Sequence, residues 1–302
     1  MCSKKVAVLL AAYNGQEFLQ DQINSILGQV DVQVDIFISI DLSTDDTNEI
    51  CHNFANRYEN IHLLPLGLKF GGAAKNFYRL LRDVSFDNYD YVSFSDQDDI
   101  WLEDKLSTAT KEIKSRNLDA YSSNVTAFWP DGKELLIEKS QPQREFDYLF
   151  EAAGPGCTYV FTRSLAEHIQ RFIVKQPKVN EFILHDWFCY AFARIHGYKW
   201  FIDAKSKMRY RQHENNQVGV NNSLSALWHR AKYVFFGGGL AQVRLLMNLF
   251  PVSGLPDRIS RLNKFDLKAR FEMLFLFNQL RRKHIERLYV ALILLTSLIK
   301  GL

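Results

Sequence analysis

The sequence predicts an α/β fold: a mostly parallel, doubly wound sheet followed by a C-terminal helical extension. Short apolar runs alternate with helical periodicity through the first hundred residues. Polar clusters fall where those runs end, and long helical stretches take over after Asn222. Strands alternating with helices at this spacing argue for right-handed βαβ units and so for a parallel sheet.

Val6 to Ala12 reads as a buried first strand and Phe18 to Leu27 as an amphipathic helix. Val34 to Ile40 is a second strand. Thr44 to Tyr58 is a second helix, with Ser43 and Thr44 expected as its caps. A short third strand covers Ile61 to Pro65, a third helix Ala73 to Arg82, and a fourth strand Tyr89 to Ser95. The period-two runs AYSSNVTAFW and CTYVFT give further strands around a Gly154-Pro155-Gly156 loop. His185 to Ile195 reads as a helix, and KWFID and KMRYRQH as two extended segments. The final IERLYVALILLTSLIKGL holds too short an apolar stretch to span a bilayer.

With 302 residues the chain suffices for one large domain or a domain with an appendage. The change of pattern divides it into residues 1–222, a sheet-bearing body, and 223–302, a helical region. Apolar content of 47% and charged content of 24% exclude disorder. Cys2, Cys51, Cys157 and Cys189 show no close spacing, which fits a reducing compartment and neither a zinc site nor a disulfide framework. The opening MCSKKVAVLLAA runs straight into the Tyr13-Asn14-Gly15 turn. It is expected to be a strand and not an export signal, which points to the cytoplasm. The net charge of +3 hides an acidic body and a basic tail: 13 Lys/Arg against 4 Asp/Glu follow Asn222.

In doubly wound sheets, ligands bind beyond the carboxyl ends of the strands. Tyr13-Asn14-Gly15, Asp41-Leu42-Ser43 and Asp96 to Asp99 all fall there. Loops that are merely wet would scatter Lys and Glu at such positions and do not call for aspartates. The stretch SFSDQDDIW is the sharpest case, since its carboxylates repel one another. A solvated turn would tolerate that. So would a magnesium or manganese ion, which takes one or two carboxylates plus substrate phosphates.

SFSDQDDIWLEDKL and VAVLLAAYNGQEFLQDQINSIL, followed by HDWFCYAFARIHGYKWFID and YRQHENNQVG, resemble a family-2 glycosyltransferase of the GT-A fold, in its rhamnosyltransferase-like branch. The resemblance runs from about Lys5 to Gly219. It implies Tyr13 against the nucleotide base, Asp41 on base or ribose, and Lys75 and Asn76 near the nucleotide. It also implies Asp96 and Asp98 as a D-x-D motif, Asp98 holding the metal and Asp99 facing the donor sugar. Asp186 would be the catalytic base, and His213 would close over the pyrophosphate at the metal. Two positions depart from the family pattern. Ile40-Asp41-Leu42 keeps one carboxylate where relatives usually carry two, and Glu214 stands where a glycine is common.

These residue types fit sugar transfer. An acceptor hydroxyl must lose its proton as it attacks the anomeric carbon, and a carboxylate can take it. One base opposite the leaving group implies a single displacement with inversion. The departing diphosphate gains negative charge that a divalent ion stabilises. Each residue also has a plainer reading. Asp186 could cap a helix, His213 could be a strand-end structural histidine, and Trp101 and Trp187 could be core in place of sugar pocket. Gly154-Pro155-Gly156 could be a turn or part of the acceptor site.

The expected donor is dTDP-L-rhamnose, with a UDP-sugar as the alternative. The expected acceptor is a hydroxyl of a bacterial surface polysaccharide or lipid-linked saccharide. The basic tail (Arg258, Arg261, Lys264, Lys268, Arg270, Arg281, Arg282, Lys283, Arg287) suits peripheral contact with the inner face of the cytoplasmic membrane. It also suits packing on the body or on a second copy. No nucleic-acid motif is present. A nucleotidyltransferase would need a basic Gly-rich loop where AAYNGQEF stands. A non-catalytic saccharide-binding scaffold remains the rival from another class.

Overall fold

The computed structural model describes residues 3–213, 238–250 and 266–300. Strand β1 (Lys4–Ala12) is its spine, pairing in parallel with β2 (Val32–Ile40) and with β4 (Tyr91–Ser95). β3 (Ile61–Leu63) lies parallel at the edge beside β2. Beyond β4, β9 (Val160–Thr162) runs antiparallel to both β4 and β6 (Ala120–Ser123), and β10 (Trp200–Asp203) lies parallel to β6. The order is β10-β6-β9-β4-β1-β2-β3, with β9 alone reversed.

The seven residues Val6 to Ala12 are all buried because helices cover both faces of the sheet. Ala7, Leu9 and Ala11 face one core with α3 (Ala73–Asp83), α5 (Arg163–Lys175) and α6 (His185–Ile195). Val6, Val8, Leu10 and Ala12 face the other, with α1 (Leu19–Leu27), α2 (Thr47–Arg57) and α4 (Lys105–Arg116). The period of two is what divides them. A smaller sheet stands at the carboxyl rim, in the order β5 (Ile100–Trp101), β11 (Met208–Arg211), β7 (Val125–Phe128), β8 (Glu134–Ile137).

Several expectations shift. AYSSNVTAFW forms two strands broken at Asn124, whose side chain serves Ala204 O and the amides of Lys139 and Ser140. Helix α2 starts at Thr47, so Ser43 and Thr44 do not cap it; both are taken by Asn14, as Asn14 N donates to Ser43 Oγ and Thr44 N to Asn14 Oδ1. In CTYVFT only Val160–Thr162 is strand, because Gly156–Thr158 forms a 3₁₀ turn. Helices α4 and α5 and strand β8 went unforeseen.

After residue 237 come α7 (Gly238–Leu249), α8 (Leu267–Phe275) and α9 (His284–Lys300). Leu246, Met247, Met273, Val290 and Leu294 from these helices belong to the same core as α3, α5 and α6. Among the basic residues expected at a membrane, Arg270 and Arg282 are buried and Arg281 and Arg287 are half-buried, each spent on backbone carbonyls. Arg270 donates to Ser297 O, Arg281 to Phe150 O, Arg282 to Ala152 O, and Arg287 to the carbonyls of Arg281 and Arg282. Arg258, Arg261 and Lys264 lie outside the described residues, as do Glu214 and the boundary at 222. Among the described residues no helix is long and apolar enough to cross a membrane.

Candidate active site

The loops after β1, β2 and β4 meet at one rim, and side chains fasten them together. Gln97 reads the backbone of Tyr13 from both sides: Tyr13 N donates to Gln97 Oε1 at 2.7 Å, and Gln97 Nε2 donates to Tyr13 O at 2.8 Å. Gly15 makes room for this, since a Cβ there would lie 2.4 Å from Gln97 Oε1. Gly15 N donates to Thr47 Oγ1, and Gln16 N to Asp45 Oδ2, which ties the first loop to the start of α2. The aromatic ring of Tyr13 is left 54% exposed at the rim.

Asp41 is buried, with its carboxylate filled by backbone donors: Leu42 N and Phe70 N on Oδ1, and Gly71 N on Oδ2, each at 2.8 Å. It thereby shapes the loop that leads into α3. Asn76 on α3 is buried too, and its Nδ2 donates to Ser39 O at 2.9 Å and Ala12 O at 3.3 Å, bracing the carboxyl ends of β1 and β2. Lys75 beside it is exposed. Both Asp41 and Asn76 therefore sit beneath the rim, whereas Tyr13 and Lys75 stand at its surface.

The carboxylates after β4 divide by depth. Asp99 is 0% exposed, with Oδ1 accepting from Arg211 N and Oδ2 left without a partner. Burial and the charges of Asp98 and Asp96 push its pKa well up. Asp96 is half-buried, and burial, Asp98 and Asp186 raise its pKa to about 7. Asp98 Oδ2 meets His213 Nε2 at 2.8 Å, and the His213 ring lies 4.8 Å from that of Phe18. Arg211 Nε donates to Asp98 O, and its Nη2 reaches Asp21.

One carboxylate oxygen and one imidazole nitrogen in contact, with further acids beside them, fit a divalent cation that keeps its remaining positions for phosphate oxygens. Asp96, Asp99 and Cys157 also bring ligand atoms within 4.8 Å of one another. Burial and the nearby aspartates push the Cys157 thiol well up, which keeps it protonated and a poor partner for a hard ion. Lys105 lies behind them, 2% exposed and unpartnered, with Nζ against the ring of Trp101. Burial lowers its pKa to about 7.

Asp186 lies in the first turn of α6, half-buried, with Oδ1 accepting from Trp187 N at 2.7 Å. Desolvation raises its pKa to about 6, while the Trp187 amide and Lys139 pull it down. Gly156 packs on Asp186 and the next residue, Cys157, on Asp96 and Asp99, so one turn joins the carboxylate loop to Asp186. Gly154-Pro155-Gly156 lies against it: a Cβ on Gly156 would come within 2.7 Å of His185 Nε2 and 3.2 Å of Asp186 Cβ. His185 is buried, stacked on Phe77 at 3.9 Å, with Nε2 unpartnered. Trp101 and Trp187 are both buried, the latter donating Nε1 to Tyr148 O, so core packing is their place.

Sequence reasoning passed over Gln97, Arg211, Lys105 and His185. Gln97 and Lys105 stood inside SFSDQDDIWLEDKL, where the place of Gln97 between two aspartates was a signal and the burial of Lys105 gave none. Arg211 and His185 show themselves only through contacts across the chain.

A profile of glycosyl transferase family 2 matches residues 7–165. A dTDP-rhamnosyl transferase, RfbG, from Shigella flexneri is 42% identical over 301 residues, spanning 96% of this chain and all of that protein. TuaG of Bacillus subtilis, described as a teichuronic acid biosynthesis glycosyltransferase, is 28% identical over 141 residues, 47% of this chain and 51% of its own. Among solved structures, S. aureus TarS residues 1–349 superpose with a TM-score of 0.55 at 13% identity, covering 91% of this chain and 92% of that one. The mannosyltransferase PcManGT of Pyrobaculum calidifontis, solved with GDP-Man and Mn²⁺, gives 0.55 at 15% identity over 98% of this chain and 74% of its own. Both share the fold.

Proposed function

The chain belongs to glycosyl transferase family 2, and from that premise we propose that it moves L-rhamnose from dTDP-L-rhamnose, with inversion and with a divalent metal, to a hydroxyl of a bacterial surface polysaccharide or lipid-linked saccharide. It would do so in the cytoplasm, at the inner face of the membrane. The full-length likeness to a dTDP-rhamnosyl transferase supports the donor. The observation that carries the chemistry is that one turn, Gly156-Cys157, touches Asp186 on one side and Asp96 and Asp99 on the other.

Asp98 and His213 would hold the metal, which when bound offsets the negative charge gathering on the departing diphosphate. Asp99, expected to face the donor sugar, is fully buried and holds the Arg211 amide, so it would act from beneath the site, and Tyr13 offers its exposed ring to the base. Asp41 and Asn76 act one step removed, by shaping and bracing the loops that receive the nucleotide. Asp186 accepts the proton of the acceptor hydroxyl as the oxygen attacks the anomeric carbon from the face opposite the diphosphate. Such a base contributes roughly 10²–10⁴-fold. A scaffold protein would have no use for a carboxylate held half-buried beside a second acidic cluster.

Thymine and uracil offer the same polar edge and differ in one methyl group, so a carboxylate such as Asp41, already holding three backbone amides, does not choose between them. This keeps a UDP-sugar as the second reading. Thermal shift with dTDP-rhamnose, UDP-glucose, UDP-galactose, UDP-N-acetylglucosamine and GDP-mannose, each with and without Mn²⁺, separates the two. A Mn²⁺-dependent rise in Tm with dTDP-rhamnose, lost in Asp98→Ala, is the expected result. A rise with a UDP-sugar alone would replace the donor. No rise with any of them would favour the scaffold.

A further inference from the structure

Across the Gly154–Gly156 loop from Asp186 stands Lys139, half-buried and joined to no carboxylate by an ion pair among the described residues. The loop is thin at both glycines. A Cβ on Gly154 would lie 3.5 Å from Lys139 Cβ and Cγ, and one on Gly156 would lie 3.2 Å from Asp186 Cβ. The Lys139 backbone is fixed, since Lys139 N and Ser140 N both donate to Asn124 Oδ1, at 2.6 and 3.0 Å.

The charges around Lys139 are Glu286, Arg281, Lys283, Glu151 and, across the loop, Asp186. Arg281 takes Glu286 with Nη2 at 2.6 Å and Nε at 3.0 Å. Arg282, itself buried, takes Glu151 at 3.1 Å. Both acids are thus occupied by arginines, and with Asp186 across the loop counted against them, Lys139 and Lys283 still leave one cation in excess. Withdrawing an ammonium from water without a partner costs free energy, and burial lowers the Lys139 pKa accordingly. A group bearing negative charge would offset that cost.

We propose that Lys139, with Lys283 at its rim, forms an anion-binding subsite on the acceptor side of the reaction centre, taking a phosphate group carried by the acceptor. The assignment of that side rests on Asp186 being the base. Directly after Lys283 begins α9, whose exposed Ile285, Leu288, Tyr289, Leu292 and Leu295 follow one helical face. A phosphate ester with an apolar chain would find both halves of its chemistry there.

Calorimetric titration of the full chain in EDTA tests this, with octyl phosphate, inorganic phosphate and octyl glucoside as probes. At least one anion should bind the wild type. Lys139→Gln should weaken it by about tenfold, Lys283→Gln should do so by a few-fold, and Lys139→Arg should restore most of it. Tighter binding of octyl phosphate than of inorganic phosphate identifies an amphiphile, and equal binding a free anion; either supports the subsite. Neither anion binding, Lys139→Gln binding as the wild type does, or octyl glucoside matching octyl phosphate overturns it. Should Lys139→Gln not fold, protection of Lys139 from acetylation in wild-type protein by octyl phosphate decides the matter, and absence of protection refutes the subsite. The Mn²⁺-dependent donor shift is measured on the same samples: its loss in wild type strikes the donor assignment, whereas its retention without anion binding strikes the subsite alone.

Discussion

Asp186 is held where water is scarce, and its pKa of about 6 follows from that burial. A base works ionised, so kcat/KM should rise with pH through about 6 and level off above it. Well below that value the rate should fall about tenfold per pH unit. In Asp186→Asn the limb should disappear from whatever activity remains. Gly156→Ala should be nearly as damaging, because its Cβ would press on His185 Nε2 at 2.7 Å and on Asp186. A loss of about 10²-fold in kcat is expected, together with a Tm lowered by the overpacking, which costs roughly 1–3 kcal/mol. At this scale the sequence was most legible where chemistry needs charge: Asp96, Asp98, Asp99, Asp186 and His213 were all picked out as candidates, and the structure brings them to one end of the sheet. It was least legible for partners remote in the chain. Nothing in YRQH announces that the Arg211 amide serves Asp99, and nothing in Asp41 shows that three amides take up its oxygens.

Between elements, the site is a set of loops stapled at the ends of parallel strands. The pairing of Gln97 with Tyr13 joins the carboxylate loop to the loop after β1. Gln97→Ala should leave the fold intact and raise the donor KM by about tenfold through looser loops, with kcat falling less; steady-state kinetics with varied donor checks it. Strands β1, β2 and β4 were plain as short apolar runs, because the sheet is covered on both faces, and helices α1, α3 and α6 were plain in their apolar spacing. The start of α2 was not, since Ser43 and Thr44 look like caps yet hydrogen-bond to Asn14. The reversed β9 was hidden as well: a three-residue strand buried on both sides carries no sign of direction.

Over the whole molecule, the C-terminal helices and the sheet-bearing body share one apolar core, and a buried charge network pins them together. Arg282 pairs with Asp147 at 3.3 Å and with Glu151 at 3.1 Å, and Arg194 adds a second contact to Asp147 at 3.0 Å. Arg282→Ala would leave Glu151 without its ion pair and Asp147 with Arg194 alone, and should cost about 3–5 kcal/mol, read from the urea midpoint at unchanged slope. Composition alone suggested a basic surface for this region, because a count of charges does not say which face inward. The central claim is that Asp186 takes the acceptor proton in a site assembled around a metal-held nucleotide sugar. Its most direct test measures donor binding and rhamnosyl transfer side by side in Asp186→Asn. A retained Mn²⁺-dependent Tm rise with dTDP-rhamnose, together with transfer reduced at least about 10²-fold, is the predicted result. Transfer at the wild-type rate in a protein that still binds the donor would contradict it.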